Sequence, residues 1–200
     1  MKKHMGKQLA VSTGVLGVAV AITTVGTLAL FTDQDTVDAN TFSTGSVALS
    51  TNPTTALVTF SAMMPGDVVT NPLVVTNDGT ESLRYAMSSV ATNVDVKGLK
   101  DQLVLTVKTI DVTTPASPCS EFDGTDLYTG DLDSATGKVL GDAATGQTGV
   151  AASGGDRTLA AAASETLCFR VSLPIATDNT FQSAATTATF TFDSEQTKNN

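Results

Sequence analysis

The sequence predicts an all-β chain: a jelly-roll-like antiparallel β-sandwich preceded by an N-terminal signal helix. Three observations carry this expectation. Beyond residue 30, apolar residues recur at every second position, the period of a half-buried strand. Thr, Val, Ser, Gly and Ala dominate the composition, favouring strands and turns over helices. One long uncharged apolar run stands ahead of that region and has no counterpart elsewhere.

The run opens the chain. Lys2, Lys3, His4 and Lys7 form a basic start, and Leu9 to Leu30 carries no charge before Asp33. A basic start, an apolar centre and small residues near the end describe a secretory signal, assigned to residues 1–30. The alternative is a retained anchor, since the run is about as long as a bilayer-spanning helix requires. Gly14, Gly17 and Gly26 dilute it, and Thr27 and Ala29 place small residues where a signal peptidase reads them. Cleavage is therefore expected after Ala29; a cut after Leu30 would leave a large residue at that position. The protein is expected to be secreted, associated with the cell surface, and in contact with the membrane only through an uncleaved signal. The last residues, 197–200, are a polar tail with no anchor motif.

The sandwich is placed at residues 46–196, and its strands are read in chain order. Val47 and Leu49 mark the first, and Val58 and Phe60 the second. Val69, Leu73 and Val75 mark the third, where Pro72 suggests an edge or a bulge. Leu83, Tyr85 and Met87 mark the fourth, and Leu103, Leu105 and Val107 the fifth, with one helical turn at Gly98 to Gln102 between them. Pro65-Gly66-Asp67 and Asn77-Asp78-Gly79 are turn signals. Residues 113–163 are rich in Gly, Asp, Ser, Thr and Ala and read as a long excursion, with a short hairpin near Asp126 to Leu140. Thr166 to Ile175 has the cleanest alternation: Leu167, Phe169, Val171, Leu173 and Ile175 face inward, while Thr166, Cys168, Arg170 and Ser172 face outward. In Thr187 to Asp193, Ala188, Phe190 and Phe192 face inward.

Charge and rare residues restrict the chemistry. Net charge is -9, and loss of the three signal lysines leaves about -12, which repels phosphate backbones and excludes nucleic acid as a partner. The only histidine is His4, inside the signal. Zinc catalysis normally takes His ligands, and Ser or Cys nucleophiles usually need a His base, so no catalytic residues are assigned and an enzyme is not expected. Cys119 and Cys168, the only cysteines, read as one disulfide in an exported chain; two free thiols are the alternative. Asp123, Asp126, Asp131, Asp133 and Asp142 cluster in the excursion. Four of them, Asp126, Asp131, Asp133 and Asp142, are weak Ca²⁺ candidates. The EF-hand pattern fails at Thr136, where Gly is required, and at Asp142, where Glu is. A solvated acidic loop fits better, so no metal or other cofactor is assigned.

Three segments resemble the TasA/camelysin group of secreted surface fibre proteins. The first runs from Gly26-Thr27-Leu28-Ala29-Leu30-Phe31-Thr32-Asp33 to Thr41-Phe42-Ser43-Thr44-Gly45-Ser46-Val47-Ala48-Leu49. The second is Met64-Pro65-Gly66-Asp67 followed by Leu73 to Gly79, similar to that group's Pro-Gly-Asp turn and Asn-x-Gly hairpin. The third is Phe181-Gln182 with Phe190 to Gln196. The chain departs from the pattern in the large residue at Leu30 and in having two cysteines. The resemblance implies a jelly roll, processing by a dedicated signal peptidase, and assembly into extracellular fibres or biofilm matrix. Relatives are also labelled metalloproteases, a label that the missing histidine argues against.

In such fibres the freed N-terminal segment pairs as a strand with the next subunit. Here that segment is residues 31–45, with Phe31, Thr32, Asp33, Val37 and Phe42 expected to act in assembly. The physics agrees, because an unpaired strand edge recruits another strand and a head-to-tail contact that does not close yields a filament. The expected partner is the chain itself, with other matrix proteins possible partners. The alternatives are a monomeric binding module acting through residues 113–163 and a surface metalloprotease.

Overall fold

A computed structural model describes residues 43–59, 62–141 and 155–197. Among them nine strands form two antiparallel sheets, joined by little else: a four-residue helix, α1 (Leu99–Gln102), and a 3-10 turn at Asn179–Phe181. In chain order the strands are β1 (Leu49–Asn52), β2 (Val68–Asn77), β3 (Leu83–Ala91), β4 (Val104–Thr109), β5 (Asp126–Asp131), β6 (Lys138–Leu140), β7 (Arg157–Leu159), β8 (Ser164–Ser172) and β9 (Ala188–Gln196). The first sheet has the order β1-β2-β8-β4-β5. In the second, β9 lines the whole of β3 from Leu83 to Ala91, and the short β6 and β7 pair with β3 at Met87–Ser88 and Leu83–Tyr85.

The alternation in the sequence becomes the core. Leu73, Val75, Leu83, Tyr85, Met87, Leu105, Val107, Leu167 and Phe169 are buried between the sheets, each contributing roughly 1.5–3 kcal/mol. Phe190 of β9 packs on Phe169 with ring centroids 5.6 Å apart, and Phe192 on Tyr85 at 6.1 Å. Both β9 rings remain half-buried.

Strand directions sort the connections to two ends. Asn77 of β2, Ser164 of β8, Leu83 of β3 and Gln196 of β9 lie at one end, which also carries residues 43–48, 78–82, 110–125 and 160–163. We call this the near end. Val68, Ser172, Val104, Ala91 and Ala188 lie at the far end, with residues 62–67, 92–103, 132–137 and 173–187.

Several local expectations change. No strand forms at Val58, whose segment instead tucks Leu57 and Val58 against the core as Asn71 donates to the Leu57 carbonyl at 2.9 Å; Phe60 lies outside the described residues. Pro72 sits within β2 where β1, paired only from Val74 to Asn77, has ended, so it occupies an edge without costing a ladder bond to β1. The expected hairpin at 126–140 does not form: β5 pairs with β4 in one sheet and β6 with β3 in the other. Asn77-Asp78-Gly79 likewise turns the chain from one sheet to the other rather than closing a hairpin. Ile175 leaves the core because β8 stops at Ser172, before Pro174.

Candidate functional site

Residues 110–125 fold back over the outer face of the first sheet at the near end. Cys119 is bonded to Cys168 of β8, with Cα atoms 5.3 Å apart. The alternation correctly puts Cys168 on the outward face of β8, but the roof buries it completely. Phe122 lies beneath the same roof, and the cations of Lys108 and Arg170 stand over its ring at 5.0 and 3.7 Å.

Two aspartates shape the roof. Asp111 is almost wholly buried, and its Oδ2 accepts hydrogen bonds from Glu121 N (2.7 Å), Thr114 Oγ1 (3.2 Å) and Ser120 Oγ (3.2 Å). Burial pushes its carboxyl up, but these donors together hold it below the usual carboxylate range. Asp123 accepts from Thr113 Oγ1 (2.6 Å), Val112 N (2.7 Å) and Thr113 N (3.2 Å), and the Thr113 hydroxyl leads in holding it low as well.

The four Ca²⁺ candidates stand apart from this roof. Asp126 pairs with Lys108 at 3.1 Å and Asp133 with Lys100 at 3.0 Å. Asp131 ends β5 with its carbonyl accepting from Tyr128 Oη at 2.8 Å, and Asp142 lies outside the described residues. Among the described residues no three metal-ligating side chains converge. A zinc site of the usual kind does not fit this donor set: both cysteines are consumed by the disulfide and the one histidine is His4.

A second polar cluster binds β7 to its neighbours. Arg157 holds both oxygens of Glu165 (2.8–2.9 Å from Nε), and Tyr85 Oη donates to Glu165 at 2.5 Å. Burial first, and then that carboxylate, push the Tyr85 phenol up, so it stays a neutral donor. Arg84 pairs with Glu195 of β9 and with Asp156. These contacts brace β7 and β9 against β3 and β8.

The turn motifs also act as braces. Gly66, at φ +96°, lets Pro65-Gly66 turn tightly, with Asp67 N on Met64 O (2.9 Å) and Met64 N on Asp67 Oδ2 (2.7 Å). Asn77 is fully buried; its Nδ2 reaches the carbonyls of Glu81 (2.9 Å), Ala160 (2.9 Å) and Leu159 (3.3 Å), and its Oδ1 accepts from Gly79 N (2.9 Å). Gly79 has no room for a side chain, since a Cβ would stand 2.4 Å from Ser46 O. The turn thereby grips residues 46–48 as the chain enters β1. Sequence reasoning recognised the turn but missed the role of Asn77, whose partners Leu159 and Ala160 lie far away in the chain, and overlooked Asp111 and Phe122.

Ala29, Leu30, Phe31, Thr32, Asp33, Val37 and Phe42 lie outside the described residues. The chain becomes described at Ser43, and Ser46 is fixed there by Thr80 through hydrogen bonds of 2.9 and 3.0 Å. Among the described residues no helix is long and apolar enough to cross a membrane. The family model of the camelysin metallo-endopeptidases matches residues 1–114. A search of curated proteins finds no match to the chain.

Proposed function

The chain belongs to the camelysin metallo-endopeptidase family, and from that premise we propose that it is a secreted structural subunit of an extracellular fibre or biofilm matrix. After signal cleavage near Ala29 or Leu30, residues 31–45 serve as a donor strand for the next copy, and the subunits join head to tail. The observation that carries this reading is an edge. β9 has β3 on one side and, among the described residues, no strand on the other, although its inward Phe190 and Phe192 are only half-buried. An uncovered strand of this length is a template for pairing.

The family's name also suggests proteolysis. The chemistry of the donor set supports the structural reading, because both cysteines form the disulfide and the one histidine is His4, which does not suit a zinc site of the usual kind. Sedimentation of the purified chain beginning at Phe31 separates the two. The structural reading expects concentration-dependent polymers and no hydrolysis of casein. A persistent monomer, with and without Ca²⁺ or mild acid, or chelator-sensitive casein cleavage, would overturn it.

A further inference from the structure

Within the roof, three oxygens from three residues stand in mutual contact. Asp111 Oδ2 lies 3.2 Å from Thr114 Oγ1 and 3.2 Å from Ser120 Oγ, and the two hydroxyls lie 2.9 Å from each other. Three contacts of this length call for three hydrogens. An ionised carboxylate brings none and each hydroxyl brings one, so one side of the triangle has no hydrogen to fill it. Two turns build the arrangement, with Ser117 N on Thr114 O at 2.9 Å and Ser120 N on Ser117 O at 3.2 Å. Cys119, bonded to Cys168, ties the second turn down on β8.

The other oxygen of the same carboxylate gives a second, independent observation. Asp111 is 1% exposed, and its Oδ1 is buried with no hydrogen-bond partner among the described residues. Leaving a charged oxygen in that state is costly. Asp111 also forms no ion pair among the described residues. Arg170 feels its charge, but donates Nε to Thr70 Oγ1 at 3.0 Å and lays its guanidinium on Phe122. Asp123 adds a second carboxylate, against which the Asp111 charge acts. The donors around both aspartates hold them ionised all the same.

We propose that Asp111, Thr114 and Ser120 bind a hard divalent cation, Ca²⁺, in the disulfide-tied roof. Oxygen-only donors suit Ca²⁺ or Mg²⁺ rather than Zn²⁺. An irregular shell completed by water, in which one carboxylate can use both oxygens, suits Ca²⁺ over Mg²⁺, which demands near-ideal octahedral geometry. A cation on the triangle takes lone pairs from both hydroxyls and supplies Asp111 Oδ1 with a partner. Ser120 is exposed and Thr114 half-buried, so the cation enters from their side. Three protein ligands place the affinity at the weak end, with Kd about 10⁻⁴–10⁻³ M. The site uses none of Asp126, Asp131, Asp133 and Asp142, and it stands whether or not the chain forms fibres.

The test is calorimetric titration of the EGTA-stripped chain beginning at Phe31 with CaCl2 at pH 7, with melting curves and amide hydrogen exchange on the same samples. Expected are one Ca²⁺ per chain, a melting temperature raised by about 3–10 °C in 10 mM CaCl2, and slower exchange confined to residues 110–125. Asp111→Asn should abolish the Ca²⁺-dependent rise. Ser120→Ala, at an exposed position, should melt as wild type in EGTA and bind Ca²⁺ at least about threefold more weakly. Asp126→Asn with Asp133→Asn should bind as wild type. A wild-type chain that gives neither heat nor a thermal shift at 10 mM CaCl2 overturns the site. So does undiminished binding by Ser120→Ala, whether or not Asp111→Asn folds, or loss of binding in the Asp126 and Asp133 variant. Zn²⁺ bound more tightly than Ca²⁺ would overturn the assignment to oxygen donors.

Discussion

At the residue scale, single buried polar side chains hold the sandwich's near end together. Asn77 satisfies carbonyls from two separate connections, so Asn77→Ala would leave them buried without a donor. The expected loss is about 2–4 kcal/mol in urea unfolding, with the sheets otherwise intact. Asp111 makes a prediction in pH. Its carboxyl is depressed in the folded chain, so its stabilisation is fully present above the unfolded value of about 3.9 and is lost as pH falls through the lower folded value. Asp111→Asn should therefore lower the melting temperature at pH 6–7, and the gap from wild type should narrow below pH 4. A gap that stays constant with pH would show that the charge is immaterial. Neither role was legible in the sequence. Asn77 reads there as one residue of a turn, because its partners at 159–160 come close only once the strands have paired, and Asp111 as one acidic residue among many, because its burial depends on how residues 110–125 fold back.

At the element scale, the strands were legible wherever alternation ran unbroken. β3, β4, β8 and β9 appear at the expected positions, with their inward residues forming the core. Failures fall where period two was supported by only two residues or interrupted. At Val58 two alternating residues were too short a pattern to distinguish a strand from a tucked loop, and Pro174 ends the pattern before Ile175. The 126–140 hairpin failed because proximity in sequence does not say which sheet a strand joins. The disulfide is the excursion's one long-range tie that the sequence exposes. In the chain-entropy model, closing the 49-residue separation stabilises by about 4 kcal/mol. Replacing both cysteines, Cys119→Ser with Cys168→Ser, should cost about that much in equilibrium denaturation. It should also open residues 110–125 to amide exchange while β2, β3 and β8 stay protected; loss of protection throughout would show that the roof is part of the core.

At the scale of the whole molecule, the two ends differ in kind. The near end holds the disulfide-tied roof and the Asn77 turn that grips residues 46–48; the far end holds the Pro65-Gly66 turn and the loop of Val94 and Val96. A body with unlike ends and a free strand edge between them suits open, head-to-tail growth, whereas a two-fold dimer would need one self-complementary patch. The expected export signal and arm rest on charge and hydropathy, which are local properties of the sequence. The unlike ends could not be read there, since they arise from strand directions. Pairing should also persist in high salt, because the strand contact proposed above does not rely on screened surface charge. Sedimentation at 0.1 and 1 M NaCl checks this, and dissociation at 1 M would point to ionic assembly. The central claim is that the arm joins one copy to the next. It is tested most directly by negative-stain electron microscopy of two purified chains, one beginning at Phe31 and one at Ser43. The account predicts filaments from the first and folded monomers from the second. Filaments from both, or from neither, would contradict it.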